Sequence, residues 1–320
     1  MIKIKKNILT LSFFSIALMT LTSQALNADS FENIDVFSIN NSDKFNLSGL
    51  DVCNDKLLTV SDKKDDYIYE IKISKNQAYL IKNKYVEAPK HSASGYFTLH
   101  KIIYFAESLI LGDFNDWEGI SCYENDIYLV SERKNSILHI SDANTDWLPV
   151  EFYKSGVKEE YFNSYNASIE GIAVVNKNEI FLMIERNPRG TAHITQSNNE
   201  LWDVEFNSLK NLGLNYINNS YDVAGVAVYG EYMYTLERNA YAVCKRKLYN
   251  TSEGNCLSYE HIALDKNNTY SDEEYGLGEG IAIDEKYIYI VFDNNNSHKY
   301  KDSTDYRSIL LRIAHPKSWE

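Results

Sequence analysis

The chain has 320 residues, 44% of them hydrophobic and 13% aromatic, with 25 tyrosines and only 4 prolines. Richness in aromatic and β-branched residues favours sheet over helix. The formal charge of −13 argues against partners such as nucleic acid or an anionic membrane surface, both of which an acidic protein repels.

The N-terminus reads as a targeting segment. Lys3, Lys5 and Lys6 precede an apolar run from Ile8 to Leu21, and Thr22-Ser23-Gln24-Ala25 supplies the small residues a signal peptidase needs. Cleavage is expected after Ala25, with Ala28 as the rival site. The run is short for a membrane span of about 20 residues, and no cysteine stands there for lipidation. Loss of residues 1–25 removes three lysines and no acids, taking the charge from −13 to −16. The expectation is a mature protein that is periplasmic or secreted, with no stable membrane insertion, no nucleic-acid partner and a monomeric state.

Residues 31–320 are expected to form one β-propeller domain. Five segments share a pattern: LSGLDVCNDKLLTVSDK from Leu47, WEGISCYENDIYLVSER from Trp117, IEGIAVVNKNEIFLMIER from Ile169, VAGVAVYGEYMYTLER from Val223 and GEGIAIDEKYIYIVFDN from Gly278. Each runs from a glycine through an apolar stretch, a polar turn and a second apolar stretch that ends on an acid. The glycines (Gly49, Gly119, Gly171, Gly225 and Gly280) are spaced 70, 52, 54 and 55 residues apart, which suits a four-stranded blade with generous loops. Runs such as Ile172-Ala173-Val174-Val175 do not alternate between apolar and polar, as a strand covered on both faces requires. Third strands are expected at Tyr67–Ile73, Ser136–Ile140 and Ser308–Ala314. Phe31–Ile39 is expected to close the ring against the last blade, which removes an exposed edge. The fold class is therefore all-β, a single propeller of five blades, with a sixth left open in the wide gap from Leu80 to Gly112. Regular repetition argues against the rival β-sandwich.

Cys244 and Cys256 bracket a polar loop and, in an oxidising compartment, are expected to form a disulfide. Cys53 and Cys122 occupy equivalent positions in successive repeats, where they either pair or stay as small buried hydrophobes. His91, His139 and His298 read as surface or loop residues.

The repeat also carries chemistry. The residue before each glycine is Ser48, Glu118, Glu170, Ala224 or Glu279, and the acid ending the second run is Asp62, Glu132, Glu185, Glu237 or Asp293. The two positions lie 13 to 15 residues apart, and a hairpin of two roughly seven-residue strands returns to its starting end. Up to eight acids are thus expected at one rim of the central channel. So many carboxylates cannot all stay ionised and unpaired. Glu118, Glu170, Glu279, Asp62 and Asp293 are candidate ligands for a hard divalent cation, Ca2+ accepting such oxygen sets best. Glu132, Glu185 and Glu237 are further rim acids. Arg133, Arg186 and Arg238 each follow an acid and are candidates either for pairing with a neighbouring blade's acid or for contacting an anion. Arg189, in the loop Asn187-Pro188-Arg189-Gly190, is a further candidate anion contact. A purely structural ion-pair network is the competing reading for these groups.

The chain resembles the phytase-like family, described as having esterase-like activity of phytase, and is similar to the allied SdiA-regulated propellers. The resemblance is carried by Asp116-Trp117-Glu118-Gly119-Ile120 with Ser131-Glu132-Arg133, by Ile169-Glu170-Gly171 with Glu185-Arg186, and by Glu279-Gly280-Ile281-Ala282 with Asp293-Asn294-Asn295. It spans about Phe45 to Ala314. Ala224 departs from the acid pattern. The phytase-like resemblance implies hydrolysis of an ester or phosphoester bond with a divalent cation. The SdiA-regulated resemblance implies no established activity. Two functions follow: a cation-dependent hydrolase, or a non-catalytic binding propeller whose mouth holds a structural cation, a small molecule or a cationic ligand.

Overall fold

The computed structural model describes residues 29–90, 114–163, 168–197, 201–271 and 277–319. The expected signal peptide, His91 and most of the wide first gap lie outside the described residues.

The chain is all-β and propeller-like. It opens with β1 (Asp29–Ser30) and β2 (Ile34–Asn40). Then come the antiparallel strands β3 (Leu47–Cys53), β4 (Lys56–Ser61), β5 (Tyr67–Ser74) and β6 (Gln77–Tyr85). The next sheet is β7 (Trp117–Tyr123), β8 (Asp126–Ser131), β9 (Ser136–Ile140) and β10 (Thr145–Trp147). It is followed by β11 (Ile169–Asn176), β12 (Glu179–Ile184), β13 (Gly190–Gln196) and β14 (Trp202–Ser208). Then come β15 (Gly225–Tyr229), β16 (Tyr232–Glu237), β17 (Ala242–Lys247) and β18 (Asn250–Ser258), with β1 added parallel to β18. The last sheet holds β19 (Gly278–Ile283), β20 (Tyr287–Phe292) and β21 (Ile309–Ala314). Its fourth strand is β2, which pairs antiparallel with β21 from Ile34↔Ile313 to Ser38↔Ile309. The end of β2 also pairs parallel with β6, at Ile39↔Ala78 and Asn40↔Tyr79.

The first strands of these sheets meet around an axis. β3 packs on β7, β7 on β11, β11 on β15, β15 on β19, and β19 returns to β3. The second strands explain the unbroken apolar runs. In β12, Ile180, Leu182 and Ile184 pack toward the sheet before it, while Phe181 and Met183 pack toward the sheet after it. In β20, Ile288, Ile290 and Phe292 face one neighbour and Val291 and Tyr289 the other. Both faces are buried, so each apolar side chain contributes roughly 1.5–3 kcal/mol of burial.

Glycine is required where the inner strands converge. A Cβ on Gly49 would lie 2.5 Å from the Gly119 Cα, and one on Gly280 would lie 2.7 Å from the Ser48 carbonyl oxygen. The backbones crowd the axis because these positions carry no side chain.

Two disulfides join strands. Cys244 and Cys256 face one another across β17 and β18. Cys53–Cys122 ties the end of β3 to β7 in the next sheet. The sequence separations are 12 and 69 residues. Loop-closure entropy makes the longer link worth about 1.5 kcal/mol more than the shorter. C53S/C122S is therefore expected to melt at a lower temperature than C244S/C256S; equal melting temperatures would contradict this account.

One histidine departs from expectation: His139 lies in a strand, whereas His298 lies in a loop as expected. His139 is in β9, half-buried, with Nε2 2.8 Å from Asp126 Oδ2. His298 is partly buried and its Nδ1 lies 2.9 Å from the Lys299 carbonyl oxygen.

Candidate cation site at the propeller mouth

Four of the five hairpins are tied at their open ends by the same bond. The amide of the second-run acid donates to the carbonyl three residues before the pattern glycine. These bonds are Asp62 to Asn46 (3.2 Å), Glu132 to Asp116 (3.1 Å), Glu185 to Ser168 (3.1 Å) and Asp293 to Leu277 (2.9 Å). The acids are thereby fixed at one rim, around a cavity of ≈ 190 Å³ that Ser48, Asp62, Asp116, Glu118, Glu132, Glu170, Glu279 and Asp293 line together with Asn46, Lys63 and Arg238. A larger groove of ≈ 690 Å³ lies away from this mouth, where exposed Lys56, Lys72 and Lys286 mix with Asp55 and Glu285.

The mouth divides into two halves of different chemistry. One half is neutralised from within. β16 ends at Glu237, and the following 3-10 turn, Arg238–Ala240, sends the Arg238 guanidinium into the mouth. Its Nη1 is 2.7 and 2.5 Å from the two Glu279 oxygens and 3.8 Å from Glu170 Oε2. Its Nη2 is 2.7 Å from Glu185 Oε1, and its Nε and Nη2 bond both oxygens of Asp222 at 3.0 and 2.9 Å. Arg186 also bonds Glu185, and reaches Asp222 at 3.3 Å. Burial pulls the Arg238 pKa down, but Glu279, Asp222, Glu170 and Glu185 outweigh it and hold the guanidinium charged. Ala224 contributes no carboxylate beside this group.

No arginine enters the other half among the described residues. Oxygens of Asp62, Asp116 and Glu118 lie within 4.8 Å of one another. Glu118 takes a hydrogen bond from the Ser48 hydroxyl at 2.8 Å, and Glu132 takes one from the Ser168 amide at 2.9 Å. Lys63 Nζ sits 2.7 Å from Asp62 Oδ2, its side chain 53% exposed. The Oδ1 atoms of Asp62, Asn46 and Asp293 are buried without a hydrogen-bond partner, and Asn46 is only 5% exposed. Burial, reinforced by Glu132 and Asp62, pushes Asp116 up to about 7. Burial, reinforced by Asp116, Glu132 and Asp62, pushes Glu118 well above the usual carboxylate range. Asp293 is raised by burial and by Glu279, and Asp62 by burial.

Several expected site residues lie elsewhere. Glu237 does not join the mouth: its side chain is fully buried under Arg189 (2.6 Å), Arg246 (2.7 Å), the Tyr216 hydroxyl (2.7 Å) and Thr235 (2.8 Å). Burial would raise its pKa, but Arg189 and Arg246 outweigh it and hold the carboxyl below the usual range. Arg189 is accordingly no anion contact. It is 8% exposed and also donates to the Leu209 and Lys210 carbonyls and to the Tyr216 hydroxyl. Arg133 stacks over the Phe114 ring at 4.1 Å. Glu170 and Glu279, expected as cation ligands, lie against Arg238 instead.

Sequence reasoning missed Asn46, Asp116 and Asp222 as site residues. All three stand three residues before a pattern glycine, in the column Asn46, Asp116, Ser168, Asp222 and Leu277. Four of these five are polar, and that column was the available signal.

The open half fits a hard divalent cation. Its donors are all oxygen, it gathers three carboxylates, and two buried side-chain oxygens beside them, on Asn46 and Asp62, lack partners. The separate cluster of Asp51 with Cys53 and Cys122 has both of its thiols consumed in a disulfide. Asp62, Asp116, Glu118 and Asn46 would hold the ion.

The raised acids set a pH trend. An acid with a raised folded pKa stabilises the fold fully below its unfolded pKa and loses that contribution as pH rises through the folded value. Asp116 (about 7) and Asp51 (about 6, raised by burial against the Val52 and Cys122 amides that lower it) place the loss between about pH 4 and 7. The ion-free protein is expected to melt several degrees higher at about pH 5 than at about pH 8. A melting temperature that falls steadily on acidification across that window would mean these acids are ionised in the fold.

A family model described as SdiA-regulated matches residues 104–297. No curated protein matches the sequence. Among solved structures, the glutaminyl cyclase of Myxococcus xanthus is similar at 9% identity and a TM-score of 0.52, over 89% of this chain and 95% of that one. Virginiamycin B lyase from Staphylococcus aureus aligns over 89% of this chain and 99% of its own, at 10% identity and a TM-score of 0.45. At such identity the first likeness shows the propeller fold alone, and the second adds no argument.

Proposed function

The chain belongs to the SdiA-regulated family, and we propose that it is an exported five-bladed propeller whose mouth binds a divalent cation, Ca2+ by preference. One observation carries the reading: Asp62, Asp116 and Glu118 converge within 4.8 Å of one another, beside the unpartnered Oδ1 of buried Asn46. Ca2+ takes 6–8 oxygens at about 2.3–2.6 Å in loose geometries, so carboxylates, an amide oxygen and water together make a suitable shell. Arg238 rigidifies the opposite half, and the bound ion completes the charge balance of the ring. Five blades follow from the five inner strands, with β2 closing the last. The three lysines and apolar run at the N-terminus support export.

A cation-dependent hydrolase of uncharged esters is the second reading. What favours it is Glu132, a carboxyl that lines the same mouth outside the ligand set and whose pKa burial raises above the usual value, the direction a general base at neutral pH requires. Phosphoesters are disfavoured. Arg186, Arg189 and Arg238 are engaged with carboxylates, and an acidic mouth repels a phosphate dianion.

Titration calorimetry of the mature protein with CaCl2 tests the proposal, together with thermal melts in Ca2+ and in EDTA. Stoichiometric binding with a higher melting temperature in Ca2+ is expected, since an ion that binds only the folded state stabilises it. No heat and identical melts would overturn the cation reading. If the ion binds, a screen of neutral esters then separates an enzyme from a binding propeller.

A further inference from the structure

The position after the second-run acid carries Lys63, Arg133, Arg186, Arg238 and Asn294 in successive repeats. Two of these cations enter the mouth, and they are held in contrasting ways. Arg238 is 13% exposed and contacts Glu279, Glu185, Asp222 and Glu170. Lys63 is 53% exposed and, among the described residues, makes one ion pair, to Asp62 Oδ2 at 2.7 Å. Asp116 and Glu118 lie close enough to add to its stabilisation as a cation, against the opposing effect of burial. The ammonium thus rests on one of the three carboxylates assigned to the divalent ion. A flexible four-carbon stem reaching solvent can withdraw without disturbing the fold, whereas a guanidinium locked by four acids cannot.

We infer that Lys63 is a displaceable counter-ion: its ammonium balances the open half when no metal is bound and swings out when the divalent cation enters. The inference rests on the cation reading above. It makes Lys63 the residue that sets affinity, because the ion must first displace an ammonium already on Asp62. It also gives the bound state a feature the free state lacks, a released positive charge at the lip of the mouth, where it can meet an anionic group of an incoming ligand.

The test compares wild type, K63M, K63R and K64M by CaCl2 titration calorimetry. Lys64 is exposed and lies one residue further on, so K64M controls for the loss of one positive charge in general. K63M is expected to bind Ca2+ about fivefold more tightly, the fold-change equivalent to roughly 1 kcal/mol for an exposed ion pair. K63R and K64M should stay within about twofold of wild type, a limit of roughly 0.4 kcal/mol. Acylation of Lys63 by an amine-reactive reagent, followed by mass spectrometry on the wild type, should speed up when CaCl2 is added. If wild type binds Ca2+ while K63M binds no more tightly, or K64M tightens as much as K63M, the displacement is wrong and the cation site stands. Failure of every variant to bind Ca2+ would remove the site and this inference with it.

Discussion

Replacing Arg238 with alanine is expected to cost about 3–5 kcal/mol, the usual loss when one partner of a buried ion pair is removed. In a chain of this size that corresponds to a drop of about 10 °C in melting temperature. The cause is the set of groups left behind. Asp222 and Glu185 are 3% and 2% exposed; Asp222 loses its forked donor and Glu185 its bond from Nη2, together with the Glu279 contacts. Arg186 pairs with Glu185 and Asp222 and, among the described residues, makes no ion pair with Glu279, so it does not replace that link. Burial already holds Glu185 near pKa 8, against the lowering effect of Arg238. Without the guanidinium it rises further, and proton uptake becomes the cheaper way to neutralise it. The deficit of R238A should therefore shrink as the pH is lowered. R238K should recover part of the loss, because an ammonium cannot reproduce the fork. A melting curve of R238A that overlays wild type at pH 8 would mean that the ring does not depend on this residue.

Asp116→Asn is expected to move two observables in opposite directions. Asp116 faces Glu132 and Asp62, and their charges add to the burial that raises its pKa. Glu118 is in turn raised in part by Asp116. Removing one carboxylate from this group relieves repulsion, so the ion-free variant should melt higher than wild type at pH 8. The same change deletes a charged ligand, and charge count is a main determinant of Ca2+ affinity. Binding is expected to weaken by about 100-fold or more, the equivalent of roughly 3 kcal/mol. A structural role alone predicts only loss of stability. A variant that melts lower than wild type and still binds Ca2+ normally would place the ion elsewhere.

Much of the fold was legible because a propeller repeats. Five copies of Gly-apolar-turn-apolar-acid located the inner hairpins, and the non-alternating runs located strands buried between neighbours. The outer strands were less legible. β6, β10, β14 and β18 carry polar sequences such as QAYLIKNKY and NTSEGNCLS, which fit a half-exposed outer strand and a loop equally well. At the mouth, the spacing found the acids but not their fates. Glu237 and Glu185 occupy the same column, yet Glu237 turns into its own blade. Arg189 arrives there from a loop 48 residues earlier and Arg246 from the next strand. Arg238 enters the mouth because a tight turn follows β16 directly, and nothing in the Glu-Arg dipeptide distinguishes it from Glu132-Arg133, where the arginine stacks on Phe114 instead. Such choices depend on partners distant in the chain.

The pairing of β2 with β21 has a consequence for how the molecule matures. Asp35 and Arg312, bonded across that seam, lie 277 residues apart. Closing such a span carries a large loop entropy before any contact repays it, and folds dominated by distant pairings form slowly. The ring therefore cannot be sealed while the polypeptide is still emerging; the earlier blades have to wait, incomplete, for the last strand. A chain that stays open until β21 arrives acquires its finished mouth only in the last step of folding, so any cation held there can bind only once the seam has closed.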